Sequence, residues 1–316
     1  MPERARILQV GTLGDETDAW LQANHDVLRL WQQDGGLDAV AGRLPGITAV
    51  VTSVRHGCNA ELIGRLPDLR AICSWGVGFE TIDVAAAHAR GIGVSNTPEV
   101  LDDCVADLAW ALLLAAARRT SVADRYVKSG QWRSIGAFPL STRVSRKRLG
   151  ILGLGRIGEA IARRGSGFQM EIRYHNRRER AGVPYGYAGS LVELARWADF
   201  LVVACEGGPA TRHLVSAEVI DALGPEGILV NIARGSVIDQ AAMVRALAEG
   251  RLGGAGLDVL DGEPKVPPEF LDMDRITLTP HVGSATHETR RDMVQLVLDN
   301  LASFLAGRGL LTPIAA

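Results

Sequence analysis

The sequence predicts an α/β protein made of two doubly wound parallel-sheet domains, and three observations carry that expectation. Short apolar runs alternate with helical patterns along nearly all of the chain, which is how βα units around a parallel sheet read. One run, Leu149–Leu152, leads into Gly153-x-Gly155-x-x-Gly158 and then a helical pattern from Glu159 to Arg164. At 316 residues the chain is long enough to bury two such cores.

Composition narrows the partners. Hydrophobic residues make up 47% and charged residues 22%, as in soluble globular proteins. The formal net charge is −2 with no basic or acidic block, so neither nucleic acid nor an anionic membrane is expected as a partner. Met1-Pro2-Glu3-Arg4-Ala5-Arg6 leads into a strand-like run without a signal-peptide pattern. The most apolar run, Leu108 to Ala117, is too short to span a bilayer. Cys58, Cys73, Cys104 and Cys205 lie far apart without CxxC spacing, which suits free thiols in a reducing, cytoplasmic setting and argues against a zinc site.

The first domain takes its strands from Ile7–Val10, Val27–Leu30, Ile47–Thr52, Leu69–Cys73 and Ile92–Ser95. Ligands of open α/β sheets sit at the carboxyl ends of strands. Two turns there stand out: Ser53-Val54-Arg55-His56-Gly57 and Ser74-Trp75-Gly76-Val77-Gly78-Phe79. The second either makes a simple turn or exposes backbone N–H groups that hold a carboxylate without a charge. Thr97-Pro98-Glu99 then reads as a helix start, with Thr at the cap, Pro at the first position and an acid in the first turn. The helix runs through Ala106 and Trp110 to about Arg119 and is apolar nearly all round, as a buried link between domains would be. Tyr126 to Arg146 reads as irregular, carrying Trp132, Phe138 and Pro139. Such an arm either packs on another subunit or folds onto its own domain.

The second domain takes six strands, Leu149–Leu152, Glu171–Tyr174, Asp199–Ala204, Gly227–Asn231, Ala255–Val259 and Ile276–Thr279, and its glycine loop marks it as a Rossmann-type nucleotide-binding fold. The first glycine makes a tight turn, the second admits the phosphates and the third lets helix and strand approach. The N–H groups at the helix start add a partial positive charge for the pyrophosphate. The final helical pattern, Thr286 to Gly307, carries Met293, Val297, Leu301 and Phe304 on one stripe and is placed to return over the first domain.

At the end of the second strand of such a fold, an acid accepts from the 2′-hydroxyl of NAD and repels a 2′-phosphate. Here that place holds Asn176 followed by Arg177 and Arg178, so NADPH is preferred, with NADH possible. Three later strand ends each carry one reactive residue type: Asn231-Ile232-Ala233-Arg234-Gly235, Asp258-Val259-Leu260-Asp261-Gly262-Glu263-Pro264, and Thr279-Pro280-His281-Val282-Gly283-Ser284-Ala285. Carbonyl reduction uses these three types. An arginine binds a carboxylate and polarises the neighbouring carbonyl, a histidine delivers the proton, and an acid fixes the histidine tautomer. Singly, each also reads as an ordinary cap, surface or loop residue.

On Ser74–Asp83, Gly153–Gly158, Ala233-Arg234-Gly235, Gly256-Leu257-Asp258-Val259 with Glu263-Pro264, and Pro280–Thr286, nearly the whole chain resembles the D-isomer-specific 2-hydroxyacid dehydrogenases, in particular the glyoxylate/hydroxypyruvate reductase branch. The resemblance implies a discontinuous, flavodoxin-like substrate domain (1–97 with 286–316), an NAD(P) domain (98–285) with a dimerisation arm, and a site in the cleft between them. It implies a homodimer joined through the helix after Thr97 and the arm near Trp132, with Trp132 or Phe138 as the aromatic that enters the partner's site. It implies His281 as general acid, Glu263 as its partner, and Arg234 as the keto-acid holder. Val54, Trp75, Gly76, Val77 and Gly78 would line the substrate. Leu154, Gly155, Arg156 and Ile157 would meet the pyrophosphate, and Cys205, Pro209 and Thr211 the adenosine side. Ile232, Ala233, Asp258 and Gly283 would surround the nicotinamide with His281. The activity implied is reduction of a small 2-keto acid. The alternatives are a phosphoglycerate dehydrogenase-like or 2-ketogluconate reductase-like enzyme, or a dinucleotide-sensing corepressor.

Overall fold

Five of the expected runs form a parallel sheet: β1 (Arg6–Gln9), β2 (Asp26–Arg29), β3 (Ala49–Ser53), β4 (Ala71–Trp75) and β5 (Gly93–Ser95), in the order β2-β1-β3-β4-β5. Six more, with β8 added to them, form a second one: β6 (Arg148–Leu152), β7 (Glu171–His175), β8 (Gly186–Tyr187), β9 (Phe200–Val203), β10 (Ile228–Asn231), β11 (Gly254–Leu257) and β12 (Ile276–Leu278), in the order β12-β11-β10-β9-β6-β7-β8. Both orders turn back on themselves beside the strand that starts the sheet, as doubly wound folds do. The computed structural model describes residues 4–315. It divides into one unit of residues 1–101 with 286–316 and another of 102–285.

Alternation along the strands sets the core of the first unit. Leu8, Val50, Ile72 and Val94 point to one face, where Leu62, Ile63 and Leu66 close over them. Ile7, Ala49, Val51 and Cys73 point to the other, where Val297 and Leu301 of the helix His287–Leu305 cover them. Asn300, fully buried in that helix, accepts from the backbone N–H groups of Leu311 and Thr312 and donates to Thr312 Oγ1, which folds the last segment back. Ile314 N–H then bonds to Val94 O (2.7 Å). In the second unit the helix Asp102–Arg118 packs on β10, β11 and β12. Its Trp110 stacks on Phe168 at 4.5 Å and donates to Ile161 O at 3.1 Å.

Three local expectations are corrected. The long helix begins at Asp102, not after Thr97. The Thr97 hydroxyl accepts from Gly76 N–H (3.0 Å) instead of capping a helix, and Glu99 is left-handed at φ 72°. The stretch from Tyr126 is not wholly irregular, because Thr120–Lys128 is helical after a left-handed break at Arg119 (φ 53°). β8, two residues long, has too little apolar pattern to stand out in sequence and makes a seventh strand.

Candidate active site

The glycine loop has the shape a dinucleotide needs. A Cβ at Gly153 (φ +96°) would lie 2.6 Å from Cys205 N, and one at Gly158 would lie 2.2 Å from Gly153 O. Both positions admit only hydrogen, which lets the helix Arg156–Gly167 start hard against β6. A Cβ at Gly155 would meet nothing within 4 Å, and no side chain caps the helix start. Open space faced by uncapped N–H groups is what a pyrophosphate fills. Arg156 turns to Asp102 (3.4 Å), and Ile157 follows it in the first turn.

At the end of β7, Asn176 closes on the loop: its Oδ1 accepts from Leu154 N–H at 2.7 Å. Arg180 also folds inward, ion-paired with Glu159 (2.7 Å) and bonded to Leu154 O (3.4 Å). Arg177 and Arg178 are exposed and pair with nothing among the described residues. On the far side, Thr211 donates to Glu206 O (2.8 Å) in a turn opened by Pro209. Burial, with the Glu206 charge adding to it, pushes the Cys205 thiol up to about 11, so it is neutral where it lines the loop.

The three reactive types follow the ends of β10, β11 and β12, neighbouring strands of one sheet. Buried Asn231 accepts from Ala233 N–H and donates to Arg234 O (both 2.9 Å), setting the Ile232–Arg234 turn. The Arg234 side chain lies across Gly207, where a Cβ would come within 2.4 Å of its Cγ. Asp258, 2% exposed, accepts from Thr279 Oγ1 (2.7 Å) and from Val282 and Gly283 N–H (2.8 Å each). Its carboxylate is therefore committed to the chain, and it builds the turn that carries His281. His281 Nδ1 meets Glu263 Oε1 at 2.5 Å, and Glu263 Oε2 accepts from Leu260 N–H at 3.2 Å. A carboxylate on Nδ1 fixes the ring and leaves Nε2 for proton exchange.

In the other unit, Gly76 (φ +119°) turns the chain after Trp75. Thr97 holds it from both sides, with 3.0 Å bonds to Gly76 N–H and Gly76 O. Asn96 Nδ2 takes Val77 O at 2.8 Å. The N–H groups of Val77 and Gly78 carry no partner among the described residues. Val54 O accepts from Thr81 Oγ1 (2.7 Å), which ties the β3 turn to the β4 turn. His56 is bonded to Ser53 Oγ (2.9 Å), and burial, aided by the Arg55 charge, holds its imidazole below the ordinary value.

In the arm, Phe138 packs on Tyr126 (5.3 Å) and under Arg119, whereas Trp132, Ile135 and Leu140 are 58%, 96% and 98% exposed. Sequence reasoning missed Asn231, Thr279, Asn96 and Arg180 as supports. Asn231 carried the only readable signal, a polar residue closing an apolar strand. Among the described residues no metal-binding cluster occurs and no helix is long and apolar enough to cross a membrane.

Comparison with known proteins follows the same lines. A family model described as D-isomer specific 2-hydroxyacid dehydrogenase, NAD binding domain, matches residues 110–283. The chain is 45% identical to a hydroxyphenylpyruvate reductase of Plectranthus scutellarioides over 312 residues, covering 99% of each chain. It is 43% identical to a glyoxylate/hydroxypyruvate reductase A of Arabidopsis thaliana, again over 99% of each. Among solved structures, a 2-hydroxyacid dehydrogenase from Ketogulonicigenium vulgare Y25 superposes with a TM-score of 0.93 at 43% identity, covering 99% of both chains. An NADPH-dependent glyoxylate/hydroxypyruvate reductase from Sinorhizobium meliloti, bound to NADP and malonate, superposes with a TM-score of 0.90 at 38% identity, covering 99% of this chain and 97% of that one.

Proposed function

The chain belongs to the D-isomer-specific 2-hydroxyacid dehydrogenases, and from that premise we propose that it reduces a small 2-keto acid of the glyoxylate/hydroxypyruvate type to the D-2-hydroxy acid, with NADPH preferred. It is an oxidoreductase that uses a nicotinamide dinucleotide. The observation that carries the reading is the His281–Glu263 contact, at 2.5 Å, in the same unit as Arg234 and the glycine loop. The residues also fit the dinucleotide, since only Gly155 in the loop leaves open space and the helix start beside it is uncapped.

Residues 102–285 bind the dinucleotide, and residues 1–101 with 286–316 supply the substrate side. A nicotinamide dinucleotide, when bound, would supply the hydride that C2 of the keto acid takes up. The Arg234 guanidinium holds the carboxylate and polarises the carbonyl. Val77 and Gly78 add their N–H groups to the carboxylate, beside Val54, Trp75 and Gly76. As negative charge develops on the carbonyl oxygen, His281 Nε2 gives it a proton while Glu263 holds Nδ1. The ring regains its proton from solvent. Leu154, Gly155, Arg156 and Ile157 would hold the pyrophosphate. Ile232, Ala233, Gly283 and the backbone at Asp258 would hold the nicotinamide end, and Cys205, Pro209 and Thr211 the adenosine end. NADPH preference rests on Asn176 in place of an acid and on the outward, unpaired Arg177 and Arg178. A homodimer is supported by the exposed apolar arm, with Trp132, not the packed Phe138, as the aromatic offered to a partner. Four free cysteines suit the cytoplasm.

The test is consumption of NADPH and NADH with glyoxylate, hydroxypyruvate, hydroxyphenylpyruvate, 2-ketogluconate and 3-phosphohydroxypyruvate. The expected result is the highest kcat/KM with NADPH and one of the first two. Turnover with none of them, in a protein that still binds NADPH, ends the enzymatic reading in favour of a sensor.

A further inference from the structure

The Arg290 guanidinium sits over the Trp75 ring, 4.4 Å from its centroid. Both residues belong to the same unit, but they come from segments more than two hundred residues apart in sequence. Trp75 is the last residue of β4, on the face that Val297 and Leu301 cover, and Arg290 lies in the first turns of the helix that supplies those two side chains. The indole Nε1 is buried and has no hydrogen-bond partner among the described residues. A shielded, unpaired N–H is unfavourable, so something other than hydrogen bonding keeps the ring where it is. A cation over an indole face is attractive, more so when water is kept away.

What the ring supports is the turn that follows it. Gly76 comes next, at φ +119°, and then Val77 and Gly78 with their unpartnered N–H groups. We infer that Arg290 is a positioning residue for keto-acid binding: by clamping the Trp75 ring it fixes where the Val77 and Gly78 donors point. This rests on the reading above in which those donors receive the substrate carboxylate. Thr97 and Asn96 hold the turn from its other side. Arg290 touches no reacting atom in this scheme, so it acts on substrate affinity and leaves the proton and hydride transfers to other groups.

The experiment measures KM for the keto acid, kcat, NADPH affinity and Tm for Arg290→Met, Arg290→Gln, Arg290→Lys, Trp75→Leu, the Arg290→Met/Trp75→Leu double variant and Gly76→Ala. The expected result is a KM raised about tenfold by Arg290→Met and Arg290→Gln, with kcat within about threefold, the size a partly buried cation–π contact allows. NADPH affinity stays level. Arg290→Lys, which keeps a cation over the indole, recovers most of the loss. The double variant is no worse than the poorer single one, because the two residues act as a pair. An unchanged KM in both Arg290→Met and Arg290→Gln overturns the inference, as does Arg290→Lys performing no better than they do. Gly76→Ala, strained at its positive φ, separates the two layers. If it raises KM while the Arg290 variants do not, only the positioning role falls. If it leaves KM unchanged, the turn does not hold the carboxylate.

Discussion

Asp258 holds the backbone on both sides of His281: its carbonyl oxygen accepts from His281 N–H at 2.9 Å and its carboxylate from Val282 and Gly283 N–H at 2.8 Å each. That grip keeps His281 at φ +54°, a left-handed conformation rare for a residue with a side chain. Asp258→Asn offers one acceptor oxygen where two are used and turns an NH2 toward an N–H. It is expected to cost about 1–3 kcal/mol of stability and to lower kcat more than it weakens NADPH binding. Thermal unfolding and steady-state kinetics on one preparation check this, and a variant with unaltered kcat refutes it.

His281→Ala removes the proposed proton donor and is expected to lower kcat by about 10²–10⁴-fold with little change in NADPH affinity. Glu263→Gln leaves the ring in place without its anionic partner and is expected to fall between that variant and wild type. Parallel loss of cofactor binding and turnover in His281→Ala would place the residue outside the chemistry.

Asn176→Asp combined with Arg177→Ala is expected to shift the NADPH/NADH ratio of kcat/KM toward NADH by tenfold or more, a difference of about 1.4 kcal/mol. The exchange keeps the Leu154 N–H bond, since Asp retains an oxygen at Oδ1, and gives up only the long 3.5 Å donation from Asn176 Nδ2 to Leu154 O. An unmoved ratio refutes the assigned role of this strand end.

Gly158→Ala places a methyl group 2.2 Å from Gly153 O. The helix start must then move off the strand, and NADPH affinity is expected to fall by at least tenfold, as isothermal titration would register. Retained affinity contradicts the pyrophosphate site.

Burial alone would raise the Asp199 carboxyl. The side-chain and backbone donors of Arg148, with the charges of Arg148 and Lys147, outweigh it and hold Asp199 below the ordinary carboxylate value. A folded value below the unfolded one adds stability above the unfolded value of 3.8 and loses it as pH falls through the folded one. Asp199→Asn is expected to lower stability by about 1 kcal/mol at neutral pH, discounted for its partly exposed setting. Urea midpoints should converge with wild type in acid, and a pH-independent gap counts against the pairing.

Periodicity and glycine spacing made both sheets legible, because every strand but β8 is a short apolar run and Gly153 and Gly158 are each required by a close approach. His281, Glu263 and Arg234 were legible as residue types at strand ends. Their geometry was not, since it depends on Asp258, Thr279 and Asn231, polar residues whose partners lie far along the chain or only form in the turn. Thr97 misled for a related reason. Thr-Pro-Glu is a sound local helix start, but a bond to Gly76, twenty-one residues earlier, claims the hydroxyl. The arm was hard to read because Thr120–Lys128 is short, starts after a left-handed break at Arg119 with no capping side chain to announce it, and fully buries none of its side chains.

The helix His287–Leu305 has one more consequence, for synthesis. β1 to β5 leave the ribosome long before the stretch that seals Ile7, Ala49, Val51 and Cys73 from water. Until translation passes Leu301, that sheet is half-finished, with an apolar wall open to water while residues 102–285, a separate compact unit, are already made. A nascent chain stalled near Ala285 therefore holds that apolar face in water, and completing the last helix covers it.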